Sequence, residues 1–107
     1  MRPTTISKTG SGSTAPIPMT LFVTPFNVGI GVVVSGTVNY TVQHTFDDVW
    51  ATGYSAAAGN WYNHSSLAAQ TANADGNYAF PVTAVRLTVN SGSGTATMTL
   101  IQAGVAQ

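Results

Sequence analysis

Strict alternation of side-chain character over residues 37–46 is the feature that most constrains the fold of this chain. Every second residue there is Thr, Asn or Gln, and the others are apolar or aromatic: Val38, Tyr40, Val42, His44 and Phe46. Successive side chains of a β-strand point to opposite faces, so a period of two predicts a strand with one buried face. Because His44 belongs to that face, we expect it to be a hydrogen-bonded histidine of the core or its rim.

Three further segments alternate in the same way, and glycine-containing turns separate them. Residues 26–34 precede the turn at Ser35-Gly36, while residues 85–89 and 95–100 flank a turn of Ser and Gly. Alternating segments joined by short turns predict two β-hairpins. Many short strands without helical periodicity predict an all-β fold, an antiparallel and jelly-roll-like β-sandwich.

The first 18 residues differ in composition from the rest of the chain. Residues 1–18 are mostly Thr, Ser, Gly and Pro, and Ile6 and Ile17 are their only large β-branched apolar side chains. So little apolar surface cannot offset the entropy lost on ordering. We therefore expect residues 1–18 to form an extended or flexible N-terminal arm, either mobile or lying on a neighbouring subunit. Residues 19–107 would form the β-sandwich domain.

Charged side chains are scarce. Asp, Glu, Lys and Arg make up 6% of the residues and their charges cancel, whereas an ordinary soluble domain has about 25%. Nucleic-acid binding requires several basic groups to neutralise phosphates, so we expect no nucleic-acid partner. No apolar segment is long enough to span a bilayer, so we expect no membrane partner either. Near-zero net charge favours association, and we expect a homodimer or homotrimer.

Few residues are suited to catalysis or metal binding. Cysteine is absent, which excludes thiolate nucleophiles and thiolate metal sites. The remaining candidates for a metal or catalytic site are His44, Asp47, Asp48, His64 and Asp75. Their spacing matches no recognised ligand pattern. We therefore expect no enzymatic activity, no catalytic residues, no cofactor and no metal.

A long segment without alternation, residues 47–76, separates the two halves of the chain. It ends at Asp75-Gly76, which predicts a turn. Its large aromatic side chains are Trp50, Tyr54, Trp61 and Tyr62. Three interpretations stay open: the rings cap the open end of the sandwich, they anchor a protein interface, or they stack on a sugar.

Isolated apolar side chains on polar strand faces suggest that part of the surface is covered by a partner. Val33 and Ile101 are the two examples. Together with the arm and the aromatic segment they give the interface candidates Ile6, Ile17, Val33, Trp50, Tyr54, Trp61, Tyr62 and Ile101.

The chain resembles small structural proteins of tailed bacteriophages. The resemblance lies in residues 71–102, TANADGNYAFPVTAVRLTVNSGSGTATMTLIQ, in TVNYTVQHTFDD and in the opening ISKTGSGSTAPIP. It implies a virion structural protein, and within that group a capsid decoration (cement) protein. Such a protein assembles in the host cytoplasm, sits on the capsid surface and stabilises the phage head by bridging major capsid subunits.

Two other functions agree with the same sequence. One is a tail or adaptor component of the virion, which would share the composition and differ in location and copy number. The other is a carbohydrate-binding or receptor-binding module that uses the aromatic loop 47–64.

Overall fold

The computed structural model describes the backbone of residues 3–21 and 23–106 and the side chains of residues 3–21 and 26–102. Nearly all regular structure in these residues is β-strand, with one short 3-10 helix at Ala56–Ala58. The strands are β1 (Thr4–Thr9), β2 (Gly12–Ser13), β3 (Ile17–Pro18), β4 (Val23–Ser35), β5 (Val38–Thr45), β6 (Trp61–Asn63), β7 (Ala74–Tyr78), β8 (Ala84–Gly92) and β9 (Thr95–Ala106). No helix in the described part of the chain is long and apolar enough to cross a membrane.

Two antiparallel sheets pack face to face. Sheet A has the order β1-β9-β4-β7, and sheet B has the order β2-β8-β5-β6, with β3 also paired to β8. Among the described strands the chain passes from one sheet to the other six times, and it stays in sheet B from β2 to β3 and from β5 to β6. This order is that of a jelly roll. The predicted all-β, jelly-roll-like antiparallel sandwich is therefore confirmed.

The strands on either side of the predicted hairpin turns are present, but the predicted hairpins are wrong. β4 pairs with β7 and β9, and β5 pairs with β6 and β8. β8 and β9 likewise lie in different sheets. Alternation indicates that one face of a strand is buried, and this is true of strands in both sheets of a sandwich. It therefore does not show whether two successive strands pair with each other or lie in different sheets. The short links at Gly36 and Gly92, with φ of 79° and 101°, turn the chain across the sandwich.

The core lies between the sheets and is built from the alternating side chains of each strand. The side chains predicted to face inward in residues 26–34, 38–44, 85–89 and 95–100 are buried or partly buried, whereas Phe46, which follows β5, is 54% exposed. The fully buried large side chains are Tyr40, Tyr78, Leu67, Leu87, Met98, Leu100, Val28, Val32, Val42, Val82, Val85 and Val89. Sequence alternation did not indicate Leu67, which lies in the connection after β6 and reaches the core from there.

The predicted turn at Asp75-Gly76 is wrong, because both residues lie inside β7. They pair with Gly31 and Ile30 of β4. A Cβ atom on Gly76 would lie 3.1 Å from Leu67 Cδ1 and 3.2 Å from His64 Cε1. Glycine at this position leaves room for those two side chains, which is one of the reasons that glycine occurs within strands.

The N-terminal residues pair with strands of their own chain. β1 is antiparallel to β9, from Thr4 opposite Leu100 to Thr9 opposite Thr95. β2 and β3 pair with β8, so the segment supplies an edge to both sheets. Ile6 and Ile17 pack partly buried against the core. The division of the chain into an arm and a domain at residue 18 stays a prediction.

Candidate functional site

Five aromatic side chains meet where β5, β6 and β7 end. His44 points inward from β5, Phe46 follows it with the same parity, and Tyr62 lies opposite His44 in β6. Tyr78 is the last residue of β7 in the other sheet, and Phe80 follows two residues later. The five residues form what is called here the aromatic cluster. It lies between the two sheets, at the side of the sandwich closed by β6 and β7.

His44 is the centre of the aromatic cluster, since its ring contacts the other four. The ring centroids of His44 and Tyr78 are 4.8 Å apart in an edge-to-face arrangement. Phe46 and Phe80 also approach edge-to-face, at 5.4 and 5.6 Å. Tyr62 stacks on the histidine at 5.9 Å with an interplanar angle of 26°. These separations fall within the favourable range for aromatic pairs.

A hydrogen bond between the sheets fixes the base of the cluster. His44 Nδ1 lies 2.8 Å from the Tyr78 hydroxyl. Burial lowers the pKa of His44 below its ordinary value of 6.5, and the charge of His64 acts in the same direction. Burial raises the pKa of the Tyr78 hydroxyl. The pair is therefore a neutral imidazole and a protonated phenol near pH 7. The structure confirms His44 as a hydrogen-bonded histidine at the rim of the core.

Hydrogen bonds on both ring nitrogens hold His64 in place. Its Nε2–H donates to the backbone carbonyl of Asn77 at 2.8 Å, because a carbonyl only accepts. Its Nδ1 accepts a hydrogen bond from the backbone N–H of Ser66 at 3.1 Å. The ring also meets Tyr78 edge-to-face at 4.8 Å. His44 and His64 thus lie against the same tyrosine; His44 hydrogen-bonds to its hydroxyl, and His64 hydrogen-bonds to Asn77 and Ser66.

A cleft of about 360 Å³ opens beside these two histidines. Its walls combine ring edges with uncharged polar groups from His44, Asn63, His64, Ser65, Ser66, Asn77, Tyr78 and Phe80. Three rings of the aromatic cluster are about half exposed: Phe46 at 54%, Tyr62 at 52% and Phe80 at 48%. The cleft therefore offers apolar ring surface and polar atoms side by side, without a charged side chain among its lining residues.

The aromatic residues predicted to act together are separated in the structure. Trp61 Nε1 donates to the Ala56 carbonyl at 3.0 Å, and the Arg86 guanidinium lies 4.2 Å from the centroid of the Trp61 ring. The Tyr54 hydroxyl is buried and has no hydrogen-bond partner among the described residues. Tyr54 and Trp61 pack on the outer side of sheet B, and Tyr62 joins the aromatic cluster. Their roles in an interface stay predictions.

Trp50 lies away from the aromatic cluster. It is 55% exposed and borders an apolar pocket of about 380 Å³. The pocket is also lined by Met19, Thr20 and Leu21. Of the four rings in the loop, Tyr62 alone belongs to the aromatic cluster, and it is not among the residues that line the cleft.

Val33 and Ile101 lie on the outer face of sheet A, with 60% and 47% of their surface exposed. Around them, hydroxyl groups of β1 and β9 pair across the strands. Thr5 and Thr99 are 3.2 Å apart, Ser7 and Thr97 are 2.9 Å apart, and Thr9 and Thr95 are 2.7 Å apart. This surface is called here the threonine face and comprises Thr5, Ser7, Thr9, Gly29, Gly31, Val33, Thr95, Thr97, Thr99 and Ile101.

The aspartates hold local turns. Asp47 Oδ2 accepts a hydrogen bond from the Asn60 backbone N–H at 2.8 Å, and Asp48 Oδ1 accepts one from the Trp50 N–H at 3.1 Å. Asp75 lies on edge strand β7. Within residues 3–21 and 23–106, no three His or Asp side chains come together as metal ligands would.

We expect the free energy of unfolding to fall as the pH drops below about 6.5. The unfolded chain binds a proton on His44 near its ordinary pKa, whereas the folded protein resists protonation until a lower pH. The unfolded state binds more protons between those two values, so stability is lost there as pH falls. One such proton contributes a slope of at most about 1.4 kcal/mol per pH unit. Urea denaturation between pH 5 and pH 8 measures it.

His44→Gln is the matched variant, because glutamine keeps hydrogen-bonding capacity but does not titrate. The variant should show a shallower loss of stability over the same pH range. Equal slopes for the two proteins would contradict a lowered pKa of His44 in the folded state.

Comparison with protein families, with curated proteins and with solved structures finds no match to this chain.

Proposed function

We propose that this chain is a virion structural protein of the decoration type, which attaches as a homo-oligomer to a capsid surface and bridges major capsid subunits. The observation that carries the proposal is the threonine face, with Val33 and Ile101 exposed on it. The jelly-roll topology supports it, since this architecture is common in viral capsid and lectin domains. The resemblance of the sequence to phage structural proteins points the same way.

The threonine face suits burial under a partner. Its outward side chains in β1, β9 and β4 are uncharged throughout the described residues. The Thr and Ser hydroxyls already hydrogen-bond to one another across the strands. A paired hydroxyl loses less on leaving water than an unpaired one, so the desolvation cost is reduced. Val33 and Ile101 add apolar area, which stabilises a contact by roughly 25 cal/mol per Å² buried.

The mechanism is mechanical. A contact of about 800 Å² on each partner is a standard specific interface, and the threonine face extends over three adjacent strands, β1, β9 and β4. A decorating copy that contacts two capsid subunits at once connects those subunits through its own fold, so that its contacts act together. Linked contacts hold far more strongly than the same contacts taken singly. The protein would thus raise the force or temperature needed to open the shell.

The location of the protein in purified virions tests the proposal. We expect electron cryo-microscopy to find many copies over the icosahedral shell, each spanning a seam between capsid subunits through sheet A. A few copies at the portal or tail would instead identify an adaptor or tail component. Absence from the particle would refute a virion role altogether.

A charge on the threonine face should block attachment. Val33→Glu places a carboxylate in the centre of the buried contact, where an unpaired charge is costly, and we expect at least tenfold fewer copies per particle. Thr52→Glu, in an exposed turn of the connection after β5, is the matched control and should attach normally. Quantitative gel analysis of purified particles gives the copy numbers. Equal occupancy for the two variants would exclude this face.

A further inference from the structure

We propose that the outer edge of β1 pairs with the same strand of a second copy, which makes a symmetric dimer with a continuous sheet A. This proposal rests on the homo-oligomer of the proposed function and names the surface that joins the copies. β1 pairs with β9 on one side, and no strand in residues 3–21 and 23–106 pairs with its other side. Such an edge offers backbone N–H and C=O groups to another strand.

The hydrogen bonding beside β1 identifies the backbone groups that point away from β9. Gly10 N–H donates to the Gly94 carbonyl at 3.2 Å, and this pair continues the register of β1 against β9. Bonded and non-bonded pairs alternate in an antiparallel ladder, so the even residues of β1 bond to β9. The N–H and C=O groups of Thr5, Ser7 and Thr9 therefore point outward. Their close hydroxyl contacts with β9 agree, because side chains lie closer in non-bonded pairs.

The other three sheet edges carry features that hinder pairing. β2 and β3 are two residues long, Pro18 in β3 has no N–H, and β6 has three residues. On β7, His64 Nε2 already donates to the Asn77 carbonyl, and the edge carries the charge of Asp75. Short strands, proline and charge all limit edge-to-edge association. β1 instead has six residues in uninterrupted register and no proline.

The sequence of β1 is complementary to itself when two copies pair antiparallel about Ser7. Ser7 then lies opposite Ser7, and Thr5 of one copy lies opposite Thr9 of the other. Every outward N–H and C=O group of these residues gains a partner in that register. A shift of two residues would place Thr9 opposite Pro3, which has no N–H, and the opposite shift would place Thr5 opposite Ser11, beyond the end of the strand.

Lys8 is the only charged residue of β1 and is compatible with this pairing. It has the parity of Ile6, which packs against the core, so its side chain leaves the inner side of the sheet. A Cβ atom on Gly12 would lie 3.0 Å from Lys8 Cε, which places the end of the side chain beside β2 of its own chain. In the register about Ser7, Lys8 of one copy lies opposite Ile6 of the other, so no like charges are opposed.

Pairing about Ser7 places the threonine faces of both copies on the same side. Directly opposite residues of an antiparallel pair point to one face, and the two-fold axis is perpendicular to the sheet. The hydroxyl groups that β1 shares with β9 are thus continued across the dimer. A face that spans two copies can contact two capsid subunits at once, as bridging requires.

Sedimentation equilibrium of the full chain tests the proposal over about 10 μM to 1 mM, concentrations at which a weak interface is populated. We expect an equilibrium between monomer and dimer. Ser7→Pro removes the central outward N–H and leaves the bonds to β9 in place, because an edge strand tolerates proline where its N–H faces solvent. This variant should raise the dissociation constant of the dimer at least about tenfold.

Asp75→Pro is the matched control, because it places proline at the opposite edge of sheet A. Asp75 has the parity of Asn77, whose carbonyl points away from β4 to His64, so the Asp75 N–H also points outward. The control should dimerise as the unmodified chain does. Circular dichroism should show both variants folded.

Amide hydrogen exchange of the unmodified chain is a second measurement that needs no substitution. The amides of Thr5, Ser7 and Thr9 should exchange at least about tenfold more slowly at about 1 mM than at about 10 μM, because pairing protects them from water. The amide of Asp75 should exchange equally at both concentrations.

Three results would overturn the proposal: a monomer at every concentration, a dimer that Ser7→Pro leaves unchanged, or exchange of the three β1 amides that does not depend on concentration. The edge would then be available to a strand of another protein. Attachment to the capsid is measured separately, as copies per virion. A monomer that still decorates the capsid would therefore refute the edge pairing and leave the role of the threonine face standing.

Discussion

Gly92→Ala should lower the free energy of unfolding by about 2–5 kcal/mol, which is a large share of the 5–15 kcal/mol typical of a domain. Gly92 has φ of 101°, a conformation that residues with a Cβ atom rarely adopt. A Cβ atom there would also collide with the carbonyl of Thr37, in the link between β4 and β5. Backbone atoms of that link cannot move aside as the end of a flexible side chain can. The link between β4 and β5 and the link between β8 and β9 are joined at this point, because the Gly94 N–H donates a hydrogen bond to the same carbonyl at 2.8 Å.

Gly53→Ala separates backbone strain from collision. Gly53 has φ of 81°, but a Cβ atom there would have no neighbour within 4 Å. We therefore expect only the conformational cost of about 1–2 kcal/mol. Urea denaturation followed by tryptophan fluorescence compares the two variants. If both variants lose the same free energy of unfolding, the collision with Thr37 adds nothing to the cost of the Gly92 substitution.

Deletion of residues 1–18 should remove most of the stability of the fold and leave the truncated chain largely unfolded at 25 °C. The deletion takes the edge strand from sheet A and both β2 and β3 from sheet B. It also exposes the backbone edges of β8 and β9 and removes Ile6 and Ile17 from the core margin. Each of those isoleucines contributes roughly 1–2 kcal/mol by its partial burial. Thermal unfolding followed by circular dichroism measures the loss.

Ser7→Ala is the control for this deletion, because it changes only one hydroxyl pair on the threonine face and leaves the β1 backbone in place. Its free energy of unfolding should lie within about 0.5 kcal/mol of that of the unmodified chain. A truncated protein with an unchanged melting curve would show instead that the sandwich is complete without its first three strands.

Side-chain alternation predicted much of this fold, and its limits are physical. The period of two over residues 37–46 and 95–100 identifies the buried face of each strand. It cannot identify the neighbouring strand, because the same face is buried whether the chain turns back on its own sheet or crosses to the other. Composition did not indicate the pairing of β1 with β9. Its Thr and Ser side chains resemble those of a disordered segment, yet they pair with equivalent residues of β9.

The candidate cleft could be predicted only in part. The parity of His44 predicted that it lies in the core or at its rim, and Phe46 shares that parity. Phe80 lies 36 positions after His44 in the sequence. It contacts the histidine from the end of the opposite sheet. No local pattern indicates a contact of that kind. Tyr62 was grouped with its neighbour Trp61 in the sequence, but adjacent residues of a strand point to opposite faces.

The pairing of β1 with β9 sets the order of events during synthesis of the domain. Thr5 and Thr99, which share a hydrogen bond, are 94 positions apart. At about 5–20 residues per second, the ribosome needs roughly 5–20 s to reach β9 after β1 has emerged. β1 must stay soluble and unpaired for that time, and a strongly apolar strand would aggregate instead. A strand made of Thr, Ser and Lys with a single Ile stays soluble until β9 has been synthesised and can pair with it.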